Sequence, residues 1–239
     1  MLDPVAIQRE YYRRTAAQYD AMHMHSDGEH NFALSFMVSM IRYLGCRSVL
    51  DIGSGTGRAL FVIKEEAPGI RVCGIEPSPE LRAAAQKKGL APDEIVDGDA
   101  QALEYKDGEF DLVCAFGALH HIPRPSLAVG EMLRVARRAI FISDANNFGQ
   151  GSAPVRVVKQ IANLLGLWTL LDYIKSRGKG YILSEGDGLS YSYSVFNNYS
   201  QVRRACESVH LLNTMDAGVN PYKTAPSVAL LGIKPGTAS

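Results

Sequence analysis

The chain has 239 residues, enough for one large α/β unit with a sizeable core. Its 25 basic and 25 acidic residues cancel, so no global field draws it to nucleic acid or to an anionic membrane. No apolar run reaches membrane-spanning length, which argues against stable membrane insertion; the nearest, Ile161 to Ile174, is broken by Asn163 and Asp172. Cys46, Cys73, Cys114 and Cys206 share no metal-like spacing. Reduced thiols in a cytoplasmic protein, with no apolar signal core among the first residues, are the simplest expectation.

Residues 4–19 read as an amphipathic helix, with Pro4 suited to the first turn. Residues 32–44 read as a second helix, closed by Gly45. Strands and helices then alternate. Strands are expected at 47–52, 71–75, 94–96, 110–116 and 139–143, and helices at 58–66, 79–88 and 125–136. Such alternation implies a parallel sheet with helices on both faces. Past residue 144 it breaks. A polar, glycine-bearing loop at 144–151 leads into a long apolar helical stretch at 155–176 containing Trp168. Residues 178–195 are rich in Gly, Ser and Tyr. A helix is expected at 199–208, with final strands at 210–215 and 227–233.

The most informative stretch is Val49-Leu50-Asp51-Ile52-Gly53-Ser54-Gly55-Thr56-Gly57. It reads as a buried strand, a glycine turn and a helix start. Glycines let the backbone approach a ligand closely and take positive φ without a Cβ clash. The acid at the strand end would repel a pyrophosphate but suits a cationic ligand. Position 58 is Arg58 rather than glycine, so the dinucleotide-binding fingerprint is incomplete. Asp51, Glu76, Asp99 and Phe116 all fall at the carboxyl ends of predicted strands, where open α/β sheets bind ligands.

This stretch resembles motif I of the class I S-adenosylmethionine-dependent methyltransferases. The resemblance continues through Gly74-Ile75-Glu76-Pro77-Ser78, Asp97-Gly98-Asp99-Ala100, and Phe110 to Phe116 followed by Leu119-His120-His121-Ile122. The small-molecule methyltransferases of ubiquinone and menaquinone biosynthesis are the most similar, down to Tyr11-Tyr12 and Ala16-Ala17-Gln18-Tyr19-Asp20. The likeness is strong over residues 11–143 and weak beyond. It implies a Rossmann-like, doubly wound, mostly parallel seven-stranded sheet with an antiparallel last strand and a helical cap. It implies one domain: a cap at 1–45, a cofactor core at 46–143, a lid or acceptor insertion at 148–195, and a last helix and strand pair at 196–239.

The resemblance also assigns S-adenosylmethionine as cofactor and a small-molecule acceptor as partner, with oxygen or carbon as the methylated atom. Nitrogen methylation and a non-catalytic cofactor-binding role are the alternatives. Glu76, beside Pro77, is expected to accept the ribose hydroxyls, and Asp99 the adenine amino hydrogens near Ala100; a turn-forming Asp99 is the plainer reading. Gly53, Ser54, Gly55 and Gly57 form the loop, with Asp51 beneath it or reaching the ligand ammonium through water. Phe116 faces the adenine, the methionine chain or the core. Tyr11 and Tyr19 touch the methionine portion or form an aromatic stripe. His120 and His121 are the general-base candidates, with a structural role as the alternative; Tyr191 or Glu185 would replace them.

No metal is expected. His23, His25, Glu29 and His30 give no fixed geometry, and the partner acids that Asp144, Asn146 and Asn147 would need are missing. Asn220-Pro221-Tyr222 reads as a turn. The aromatic segment 148–195 is expected to close over the methyl group as a lid, with a cover for the sheet or a homodimer contact as the alternative.

Overall fold

The computed structural model describes residues 4–19, 30–215 and 220–236. The strands are β1 (Ser48–Ile52), β2 (Arg71–Ile75), β3 (Ile95–Val96), β4 (Phe110–Phe116), β5 (Ala136–Ala145), β6 (Tyr181–Ser184), β7 (Gly188–Tyr191), β8 (Ser208–Asn213) and β9 (Ser227–Ile233). The described helices are α1 (Pro4–Thr15), α2 (Asn31–Tyr43), α3 (Arg58–Glu66), α4 (Pro79–Lys87), α5 (Pro125–Val135), α6 (Ala153–Leu164), α7 (Trp168–Lys175) and α8 (Tyr199–Ala205).

The main sheet has seven strands in the order β3-β2-β1-β4-β5-β9-β8. β1 to β5 run parallel, and β9 is antiparallel to both β5 and β8. This is the doubly wound, mostly parallel arrangement that the strand–helix alternation implies. All five residues of β1 are buried, as expected of a parallel strand covered on both faces. Side chains alternate between those faces. Val49 joins a core with Met37 and Ile41 of α2 and Leu60 and Ile63 of α3. Leu50 and Ile52 join the opposite core with Val129 and Met132 of α5 and Val202 of α8. Phe110, Phe141 and Leu60 are among the largest fully buried side chains. Each such burial is worth about 1.5–3 kcal/mol. The chain leaves β1 for β2 on one side, and β4 lies on the other. The crevice between them opens at the carboxyl ends of the strands, which sets the place of the site.

Two departures from the sequence reading concern the insertion. The expected single helix over 155–176 is two, α6 and α7, separated at Gly166 (φ +71°). The Gly-, Ser- and Tyr-rich segment contains a hairpin, β6–β7, whose β7 packs against α1. Both helices leave Val158, Leu164, Leu165, Leu170 and Ile174 more than half exposed. The end of β5 is fastened to its surroundings by Asn146, which is fully buried. Its amide donates to the carbonyls of Pro221, Tyr222 and Ala225 at 2.8–2.9 Å, and its carbonyl accepts from the Ser194 hydroxyl at 2.8 Å. Residues 221–224 form a turn, as read from Asn220-Pro221-Tyr222. The four cysteines are unpaired and buried. No described helix is long and apolar enough to cross a membrane.

Candidate active site

A cavity of about 370 Å³ lies at the strand ends, a size in the range of small-molecule sites. Gly53, Glu76, Pro77, Asp99, Ala100, Phe116, Tyr19 and His121 line it, all of them singled out by sequence. Asp51, Ser54, Gly55, Gly57, Tyr11 and His120 are not among its lining residues.

The glycine loop follows directly from β1. Gly53 has φ +69°, and a Cβ there would stand 2.5 Å from the Ala118 Cβ. Gly55 has φ +56°, and a Cβ would meet the Tyr19 hydroxyl at 3.0 Å. Glycine is therefore needed at both, for conformation and for space. The Gly55 N–H donates to Glu76 Oε2 at 2.9 Å, and the Ser78 N–H to Oε1 at 2.8 Å. Glu76 thus ties the loop to the end of β2. An ionised carboxylate accepts about four hydrogen bonds. Glu76 lines the cavity with acceptor capacity left over for a diol.

Asp51 and Glu76 are both nearly fully buried. Burial pushes the Asp51 pKa up to about 7, against smaller lowering contributions from the Cys114 thiol and Arg58. Burial likewise pushes Glu76 up to about 7, partly offset by the Ser78 and Gly55 N–H groups. Two desolvated acids beside one cavity favour a positively charged ligand, whose charge would restore their ionisation. This donor set fits an adenosyl ligand with an ammonium and a sulfonium group. Asp99 occupies the cavity wall, and its Oδ1 also accepts the Gln101 N–H at 2.9 Å. The turn-forming and ligand-facing readings of Asp99 are therefore compatible. Phe116 likewise lines the cavity while packing on Phe141, with ring centroids 5.6 Å apart.

The N-terminal helix contributes differently from the sequence reading. Tyr11 is buried, and its hydroxyl donates to the Glu185 carbonyl at 3.1 Å. Its neighbour Tyr12 lines the cavity with Gln8 and Arg9, and packs edge-on to Tyr19 at 5.9 Å. Helical periodicity gives the stripe but not which of two adjacent tyrosines meets a pocket. Asp97, Gln101, Ile122, Pro123 and Tyr191 also line the wall, and the sequence reading does not assign them to cofactor binding. Of these, Asp97 and Ile122 stood inside recognised motifs, and Tyr191 stood inside the expected lid.

The general-base candidates, His120 and His121, are both engaged by neighbouring groups. His120 Nδ1 faces Asp144 Oδ1 at 2.7 Å, and its Nε2 faces Asp187 Oδ2 at 3.2 Å. Burial opposes a charge on His120, but Asp144 and then Asp187 outweigh it, and the pKa rises to about 10. His121 Nδ1 donates to the Leu189 carbonyl at 2.6 Å, and its Nε2 lies 3.3 Å from Asp187 Oδ1. Both Nε2 atoms face the Asp187 carboxylate. Asp187 arrives on the loop between β6 and β7, far along the chain, and no sequence pattern signals it. Glu185 is exposed and outside the cavity wall, whereas Tyr191 is within it. Of the 23–30 histidine stretch, His30 places Nδ1 2.8 Å from the Ser143 hydroxyl; His23, His25 and Glu29 lie outside the described residues.

Comparison with known proteins agrees with this geometry. Residues 50–141 match the family described as methyltransferase domain. The chain is 33% identical over 117 residues to a phosphatidylethanolamine N-methyltransferase of Cereibacter sphaeroides, covering 47% of this chain and 56% of that protein. It is 34% identical over 92 residues to a demethylmenaquinone methyltransferase of Thermus thermophilus, covering 37% and 42%. A ubiquinone/menaquinone biosynthesis C-methyltransferase of Paracoccus denitrificans is 28% identical over 141 residues, covering 56% of each. The chain thus matches about half the length of these curated relatives. The crystal structure of magnesium protoporphyrin IX methyltransferase from Synechocystis, with bound S-adenosylhomocysteine, shares the fold: TM-score 0.59, 16% identity, covering 97% of this chain and 100% of that one.

Residues 50–141 therefore match a methyltransferase domain, on a fold shared with the S-adenosylmethionine-dependent class. Within that class the chain resembles the quinone-biosynthesis methyltransferases.

Proposed function

We propose that the chain transfers the methyl group of S-adenosylmethionine to a small-molecule acceptor, at oxygen or carbon. The observation that supports this most is the composition of the cavity wall, which brings Gly53, Glu76 and Asp99 together with Tyr12, Tyr19, His121 and Tyr191. The bound cofactor supplies an electrophilic methyl on sulfur. The protein supplies alignment and a dry setting. Glu76 holds the ribose, Asp99 the adenine amine, and Asp51 supports the loop beneath the ammonium. Tyr12, Tyr19 and Phe116 exclude water from the methionine side. His120 and His121 position the acceptor wall through their hydrogen bonds to Asp144, Asp187 and Leu189. The cap is made by α1 and the β6–β7 hairpin, with Tyr191 as the insertion's contribution to the cavity wall.

Nitrogen as acceptor is the second reading. It is favoured by the names of two relatives, the phosphatidylethanolamine enzyme and a norajmaline N-methyltransferase of Rauvolfia serpentina. Calorimetric titration with S-adenosylmethionine, S-adenosylhomocysteine and NAD tests cofactor choice. Methyl-labelled cofactor with metabolite extracts then tests turnover. NAD binding without adenosylmethionine binding would sink the proposal. Cofactor binding with no labelled product from any extract would favour the non-catalytic alternative.

The raised acids give a pH dependence with a definite sign. A cationic ligand lowers both pKa values, so binding releases protons where Asp51 and Glu76 are partly protonated. Affinity for S-adenosylmethionine is expected to rise with pH from about 5.5 to about 7 and level off above. Calorimetry at pH about 6.5 in buffers of different ionisation enthalpy reads the proton balance. No proton release there would mean that the cofactor's charge does not reach these acids.

A further inference from the structure

We propose that His120, His121 and Asp187 form a binding site for a divalent transition-metal ion of the zinc type, at the rim of the cavity. One ligand atom from each residue lies within 4.8 Å of the other two. Each Nδ1 is already engaged as a donor, His120 to Asp144 at 2.7 Å and His121 to the Leu189 carbonyl at 2.6 Å. That is the support metal-bound histidines ordinarily have, a carboxylate or carbonyl fixing the tautomer and leaving Nε2 to the ion. Both Nε2 atoms then converge on the Asp187 carboxylate, at 3.2 and 3.3 Å. Ligand atoms on a tetrahedral zinc with bonds of about 2.0–2.1 Å stand about 3.3 Å apart.

One divalent ion held between the two Nε2 atoms and the Asp187 carboxylate would engage both rings, whose centroids lie 4.0 Å apart, and the acid together. Two imidazoles and a carboxylate suit zinc and its neighbours better than magnesium or calcium. Three protein ligands leave a fourth position. On the methyl-transfer reading, on which this last point alone rests, an acceptor oxygen would displace water there, since His121 is part of the cavity wall.

The test uses the full chain, purified without a histidine tag. It is stripped with chelator and titrated separately with Zn²⁺ and Co²⁺. One equivalent is expected to bind, with the Co²⁺ form showing the intense visible bands of a low-coordinate nitrogen–oxygen site. Asp187→Asn and His121→Ala should each weaken binding by more than tenfold, and Asp144→Asn by about 10–100-fold. His210→Ala, on exposed β8 surface, should bind like the parent. Asp187 is 44% exposed, so its substitution spares the core, and circular dichroism checks the fold. Absence of a bound equivalent in the parent overturns the site, as does equal affinity in Asp187→Asn. Both readouts are independent of turnover, so the site and the methyl-transfer reading fail separately.

Discussion

Glu76→Ala is expected to weaken S-adenosylhomocysteine binding tenfold or more. The carboxylate stands in the cavity wall and also accepts the Gly55 and Ser78 N–H groups. Its removal takes away acceptors for the ribose and releases the glycine loop from β2. Each charge-assisted hydrogen bond is worth about 1.5–3 kcal/mol, and about 1.4 kcal/mol is tenfold in affinity. The fold should survive. A buried acid whose pKa is raised to about 7 costs stability as pH climbs from its ordinary value to 7. Glu76→Gln, which keeps an acceptor, should therefore gain stability relative to the parent at pH 8 more than at pH 5. Isothermal titration reads the affinity, and denaturant melts at the two pH values read the stability. Parent-like affinity in Glu76→Ala would place the ribose elsewhere.

Gly55→Val is expected to abolish cofactor binding. Its φ of +56° disfavours a β-branched residue, and the new Cβ would meet the Tyr19 ring and hydroxyl at 3.0–3.3 Å. The backbone can relieve the clash only by moving, and that breaks the Gly55–Glu76 hydrogen bond. Loop, carboxylate and capping tyrosine are thus disturbed together. Tyr19→Ala separates the two contributions. It opens the space, so the double variant should regain part of the binding if crowding dominates, and none if φ dominates. Normal affinity in Gly55→Val alone would mean that the loop does not face the cofactor.

Most of the candidate site along β1 and β2 was legible in the sequence for a local reason. Asp51, the glycines and Glu76 sit at ends of strands whose apolar runs are unmistakable, and parallel topology brings those ends together without any long-range guess. The wall supplied by α1 and the insertion was not. Tyr12 could not be told from Tyr11, because both belong to one helical stripe and only packing against β7 decides which is buried. The β6–β7 hairpin has little alternation to betray it, since its outer residues Ile182 and Leu183 are apolar and exposed. Asp187 therefore had no address in the sequence, and without Asp187 the roles of His120 and His121 could not be read. The helical stretch expected over 155–176 is broken at Gly166, which takes positive φ between α6 and α7.

Asn146 joins pieces of the chain that are usually thought of as free to drift. Its one side chain is bonded to Ser194, at the close of the insertion, and to Pro221, Tyr222 and Ala225, in the loop that precedes β9. At Gly149 even a methyl group would strike the Ala225 carbonyl. Segment 148–195 and loop 220–226 therefore form a single heritable unit. A chimera that takes an insertion from a relative but keeps this loop would inherit a lock without its key. Divergence of acceptor preference along this lineage would have to rewrite both stretches in step.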